Sequence, residues 1–96
     1  MGVTGLASVR AVVYGRVQGV FFRAYALRRA QELGLTGYVR NLHDSEAVEV
    51  LAEGRREKLE QLISDLYVGP PAASVERVEA HWSAYSGAYP GFSIRY

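Results

Sequence analysis

The feature that most constrains this chain is the way its apolar residues change period along the sequence. Phe22, Ala26, Ala30 and Leu33 form one helical stripe within residues 22–33, and Gly34 follows as a C-terminal cap. Leu59, Leu62, Ile63 and Leu66 form a second stripe within residues 55–69, and Gly69-Pro70-Pro71 stops it. Around these helices the pattern is that of strands. "SVRAVVYG" (8–15) is β-branched and aromatic and ends at a glycine, and "TGYVRNL" (36–42) and "AVEVLAE" (47–53) alternate across a "HDSE" hairpin turn. "SVERVEAHW" (74–82) puts Val78, Ala80 and Trp82 on one face, and "FSIRY" (92–96) is a candidate fifth strand. The order is β-α-β-β-α-β. This predicts an α+β, ferredoxin-like sandwich, with two helices on one face of an antiparallel sheet.

Length and composition fit one such domain spanning residues 1–96, with residues 1–7 as a flexible lead-in. At 96 residues, 49% apolar and 22% charged, the chain reads as an ordinary globular domain. It has no cysteine, which excludes disulfides, zinc-thiolate sites and thiol nucleophiles and suits a reducing, cytoplasmic setting. No apolar run approaches the roughly 20 residues of a membrane span, and "MGVTGLASV" lacks the regions of a signal peptide. No membrane association is expected, and a monomer is the default.

A net charge of +1 argues against a nucleic-acid partner, but the charge is unevenly distributed. Residues 1–43 hold six Arg against one Glu, whereas residues 44–96 hold five Lys or Arg against nine Asp or Glu. No acid precedes Glu32. That favours a small anion bound locally in the first half.

The connection between the first strand and first helix, "GRVQGVFFR" (15–23), suits such an anion. A helix N-terminus leaves N–H groups unpaired at the positive end of its dipole. Gly15 and Gly19 allow a loop whose amides turn inward, and Arg23 can present its fork to two phosphate oxygens. On spacing alone, a plain strand-to-helix connection with a solvated arginine is the more ordinary reading of these residues. The loop is neither a Walker loop nor a dinucleotide loop.

"GRVQGVFFR" and "GYVRN" (37–41) together resemble the acylphosphatase family, whose signature is G-x-V-Q-G-V-x-[aromatic or Met]-R followed by G-[aromatic]-V-[basic]-N. "VEVLAEG" (48–54) and the C-terminal "GFSIRY" are similar as well, so the resemblance covers nearly the whole chain. After Asn41 the family usually turns with N-L-P-D-G, whereas this chain has the longer, glycine-free "NLHDSEA". The resemblance implies an acylphosphatase, a hydrolase that splits acyl phosphates into a carboxylate and inorganic phosphate. It implies that Arg23 and the backbone amides of Gln18, Gly19, Val20, Phe21 and Phe22 hold the phosphate, and that Asn41 positions the attacking water. It implies no cofactor or metal.

Chemistry supports that assignment. The carboxylate leaving group has a pKa near 4 and needs no general acid, and phosphoryl transfer depends mainly on positioning and charge stabilisation. By itself Asn41 also reads as an ordinary turn residue. His43 reads as a solvated loop residue, and His81 as facing away from Trp82. Tyr14, Tyr38 and Trp82 invite comparison with a base-stacking sheet, but the third strand, "AVEVLAE", lacks the aromatics that such a sheet needs. The rival reading from another class is a non-catalytic anion- or acyl-phosphate-binding module serving a partner enzyme.

Overall fold

The computed structural model describes residues 5–96. Its elements are β1 (Leu6–Arg16), α1 (Phe22–Glu32), β2 (Thr36–Leu42), β3 (Ala47–Arg55), α2 (Arg56–Val68), β4 (Ser74–Ser83) and β5 (Phe92–Arg95). They build one five-stranded sheet in the order β4-β1-β3-β2-β5, with both helices on one face.

Strand alternation sorts the residues between the two faces. Val9, Ala11 and Val13 of β1, Val48, Val50 and Ala52 of β3, and Val39 of β2 point to the helix side. There they meet Phe22, Ala26 and Ala30 of α1 and Leu59, Leu62 and Leu66 of α2. Of the helical stripes read from the sequence these six residues are buried, whereas Leu33, just beyond α1, and Ile63 are half-buried and pack against the core's edge. Tyr25 donates its hydroxyl to the Asp65 carbonyl oxygen at 2.7 Å, and Arg29 Nε donates to the Asp65 carboxylate at 2.9 Å, which ties the helices together.

Two features differ from the sequence reading. β1 begins at Leu6, and Leu6 and Ala7 pair with Arg55 and Gly54, so the expected lead-in of residues 1–7 overlaps the strand. Of the rest of that lead-in, Gly5 accepts at its carbonyl oxygen from Arg56 N at 2.8 Å, and residues 1–4 lie outside the described residues. The sheet is also mixed rather than wholly antiparallel. The four main strands pair antiparallel, but β5 lies parallel to β2, with Gly37 opposite Phe92 and Val39 opposite Ile94. β4 ends at the same end of the sheet at which β2 begins. The eight connecting residues, 84–91, cross to the far edge along that end, so β5 must run away from it as β2 does.

The connection is pinned where it crosses. The buried Glu53 carboxylate accepts from Ser86 Oγ at 2.8 Å, Ser86 N at 3.1 Å and Gly87 N at 2.9 Å. Burial pushes this carboxyl up, but those donors outweigh it and hold it below the usual carboxylate range. On the open face Glu49 is also buried and receives Nε–H from both Arg10 and Arg40 at 2.5 Å. Burial opposes its ionisation too, and the two guanidinium partners reverse the direction and lower it.

A candidate active site at the ends of three strands

β1, β2 and β5 run in one direction, so their C-terminal ends meet at one end of the sheet, beside the N-terminus of α1. Val17, Gly19, Phe21, Phe22, Arg23, Ala24, Asn41, Ile94 and Tyr96 line a cavity of about 330 Å³ there. Most of the first signature block and Asn41 of the second, 18 residues beyond Arg23 in the chain, thus share one space.

The loop owes its shape to its glycines and to one strained residue. Gly15 sits at a register shift between β1 and β4, and a Cβ there would lie 2.3 Å from the Ser74 carbonyl oxygen, so only glycine fits. Gly19 has open space around it but φ of 71°, the left-handed region that favours glycine. Phe21 follows at φ 64°, ψ 23° as the N-cap of α1 and is the only non-glycine residue at positive φ among those described. Such a conformation costs a bulky residue about 1–3 kcal/mol, and outliers of this kind gather at functional sites.

The helix end that results is free for a ligand. It has no side-chain cap and no acid in its first turn. The Phe21 carbonyl oxygen accepts the first helical bond, from Tyr25 N at 3.1 Å. Among the described residues, no acceptor claims the N–H groups of Gly19 to Arg23. Unclaimed amides at a helix N-terminus attract anions.

Arg23 is half-buried and has no carboxylate partner among the described residues; its guanidinium lies over the Tyr96 ring, 4.9 Å from the centroid. Asn41 projects from the helix face of β2, opposite Val48. Its Oδ1 is buried and has no hydrogen-bond partner among the described residues. A buried acceptor without a donor is costly in a folded protein, and a water molecule or a substrate hydroxyl would satisfy it.

Gln18 has a second use that its sequence position did not reveal. Its Nε2 faces the carbonyl oxygens of Leu42 at 3.1 Å, Ser45 at 3.1 Å and Ala47 at 2.9 Å. The side chain therefore staples the loop to the β2–β3 turn, one residue beyond Asn41. That turn, His43–Glu46, manages without glycine because none of its four residues adopts positive φ. The signal available in the sequence was the departure from the family's glycine turn.

Tyr96 and Ile94 also line the cavity without having been singled out in the sequence. His43 is exposed, as expected, but its Nε2 lies 3.3 Å from the Tyr96 main-chain oxygen. His81 faces the open side opposite Arg10, away from Trp82. Tyr14 and Tyr38 are on that open face too, covered by the guanidiniums of Arg77 at 3.9 Å and Arg95 at 4.0 Å, whereas Trp82 packs on the helix side against Arg56. The three aromatics do not share a surface. Among the described residues no group of three or more His, Cys, Asp or Glu side chains is arranged to hold a metal, and no helix is long and apolar enough to cross a membrane.

A family model of the acylphosphatases matches residues 9–94. The chain belongs to the acylphosphatase family. The acylphosphatase of Aeropyrum pernix is 47% identical over 91 residues, which are 95% of this chain and 90% of that protein. The crystal structure of acylphosphatase from Bacillus subtilis superposes with a TM-score of 0.89 at 34% identity, covering 94% of this chain and 99% of that one. The crystal structure of T. kodakarensis HypF contains a similar fold, with a TM-score of 0.80 and 37% identity over 94% of this chain but only 12% of that one. Acylphosphatases are hydrolases that act on small acyl phosphates, and this chain is an enzyme of that kind.

Proposed function

We propose that residues 1–96 form a single domain whose one-ended cavity carries out the hydrolysis. The amides of Gln18 to Phe22 and the Arg23 fork hold the phosphoryl oxygens, and Asn41 Oδ1 accepts a hydrogen bond from the attacking water. The observation that carries the reading is the pairing, in one cavity of about 330 Å³, of an arginine free of carboxylates with a buried asparagine oxygen that has no donor among the described residues.

Each part has a task in the reaction. Water attacks phosphorus as the bond from phosphorus to the acyl oxygen breaks, and the electron pair leaves with the carboxylate. That group needs no proton at neutral pH. Charge building on the equatorial oxygens meets preorganised N–H donors and a guanidinium. Asn41 orients the water but has no basicity to deprotonate it, so the proton passes to the phosphate product. Arginine and asparagine supply this chemistry without a cofactor. The cysteine-free composition suits a cytoplasmic setting, and we take the monomer as the working unit.

The fact that T. kodakarensis HypF holds a similar fold in about one-eighth of its length favours, as a second reading, a module that binds acyl phosphate for a partner enzyme. Benzoyl phosphate hydrolysis by the purified chain separates the two. Turnover supports the enzyme, and tight phosphate binding by a folded chain without turnover supports the module.

A further inference from the structure

We propose that Phe21 and Tyr96 form an aromatic mouth that selects the acyl group, favouring flat aromatic acyl phosphates over small ones. The inference rests on reading the cavity as an acyl phosphate site. The cavity has a buried floor and an exposed rim. Val17, Phe22 and the Asn41 Oδ1 atom are buried, whereas Phe21 is 82% exposed and Tyr96 is 88% exposed, and all line the same space.

In-line displacement puts the leaving group opposite the attacking water. With water on Asn41 at the floor, the acyl group points outward, between the loop that carries Phe21 and the residue after β5, Tyr96. Both aromatic residues line the cavity there. Neither is there for the fold's sake. Phe21 buries little and occupies a left-handed backbone in which glycine would sit unstrained, so its ring contributes little packing among the described residues. Tyr96 is equally uncovered, yet it is held from two sides, by the Arg23 guanidinium over its ring and by His43 Nε2 at its main-chain oxygen. Exposed aromatic rings flanking a polar pocket are suited to an aromatic ligand, because ring pairs gain beyond the area that they bury.

The test compares kcat/KM for benzoyl phosphate and acetyl phosphate in the wild type, Phe21→Ala, Phe21→Gly, Phe21→Tyr and Tyr96→Ala. The benzoyl-to-acetyl ratio cancels any damage to the phosphate cradle, which both substrates share. The ratio is expected to fall about tenfold in Phe21→Ala and Tyr96→Ala. Phe21→Gly suits the left-handed backbone and should match Phe21→Ala, whereas Phe21→Tyr keeps the wild-type ratio. Hydrolysis of both substrates with an unchanged ratio in the ring-deleting variants overturns the aromatic mouth and leaves the proposed function standing. Failure of the folded wild type to hydrolyse either substrate overturns the proposed function, and this inference with it.

Discussion

Replacing Gln18 by alanine isolates the staple between the cradle and the hairpin, because alanine keeps the backbone amide assigned to phosphate. The amide orientation in the wild type is dictated by its surroundings. Three carbonyl oxygens at 2.9–3.1 Å require the NH₂ end rather than the carbonyl end. Two hydrogens serve three acceptors, so the group is worth about two full hydrogen bonds, each contributing about 1 kcal/mol net. The side chain is only half-buried and water replaces part of the loss, which leaves about 1.5 kcal/mol. For a domain of this size that lowers Tm by about 6–12 °C. Gln18→Glu should be worse, since an acceptor-only carboxylate would then face three acceptors. Activity should fall as well, because Asn41 precedes the stapled Leu42 and a displacement of about 1 Å at a reacting group costs on the order of a hundredfold. Thermal unfolding followed by circular dichroism, with kcat for benzoyl phosphate measured well below Tm, reads both effects. A Gln18→Glu variant as stable and active as the wild type would refute the reasoning, because the three carbonyls would then not need a donor.

Three further outcomes follow from the structure. Glu49 and Glu53 have folded-state pKa values below the ordinary range, so their contribution is fully present above the unfolded value of about 4.3 and is lost as pH falls through the lowered values. Urea unfolding should give a stability that is level from neutrality to about pH 5 and declines below about pH 4, whereas stability rising on acidification would contradict the assignment. Leu59→Ala removes a fully buried side chain of α2 and should cost about 2–5 kcal/mol while leaving KM unchanged in the fraction still folded. Hydrolysis should be indifferent to EDTA, and a clear loss of rate on chelation would require a metal in the mechanism.

Much of this protein is legible in its sequence because local patterns and global fold agree. The stripes at Phe22, Ala26, Ala30 and at Leu59, Leu62, Leu66 are the buried ones, and the hairpin at 43–46 falls where alternation breaks. What escaped the sequence depends on distant partners. Leu6 and Ala7 join β1 only because Arg55 and Gly54 extend β3 beside them, and the direction of β5 follows from which edge the 84–91 connection reaches. The same holds at the site. Arg23 and Asn41 were visible through their motifs, whereas the contacts of Gln18 with carbonyls 24 to 29 residues away, and the meeting of Tyr96 with Arg23, exist only in the folded chain. The left-handed Phe21 was invisible too, since nothing in "GVFFR" marks which phenylalanine turns outward.

The central claim divides the work between Arg23, which binds phosphate, and Asn41, which places water. It is tested most directly by measuring inorganic phosphate affinity and benzoyl phosphate kcat on Arg23→Ala and Asn41→Ala side by side. Asn41→Ala should lose on the order of a hundredfold to a thousandfold in kcat while its phosphate affinity stays within a few-fold of the wild type. Arg23→Ala should lose both. Equal loss of phosphate affinity in the two variants, or a fully active Asn41→Ala, would contradict the account.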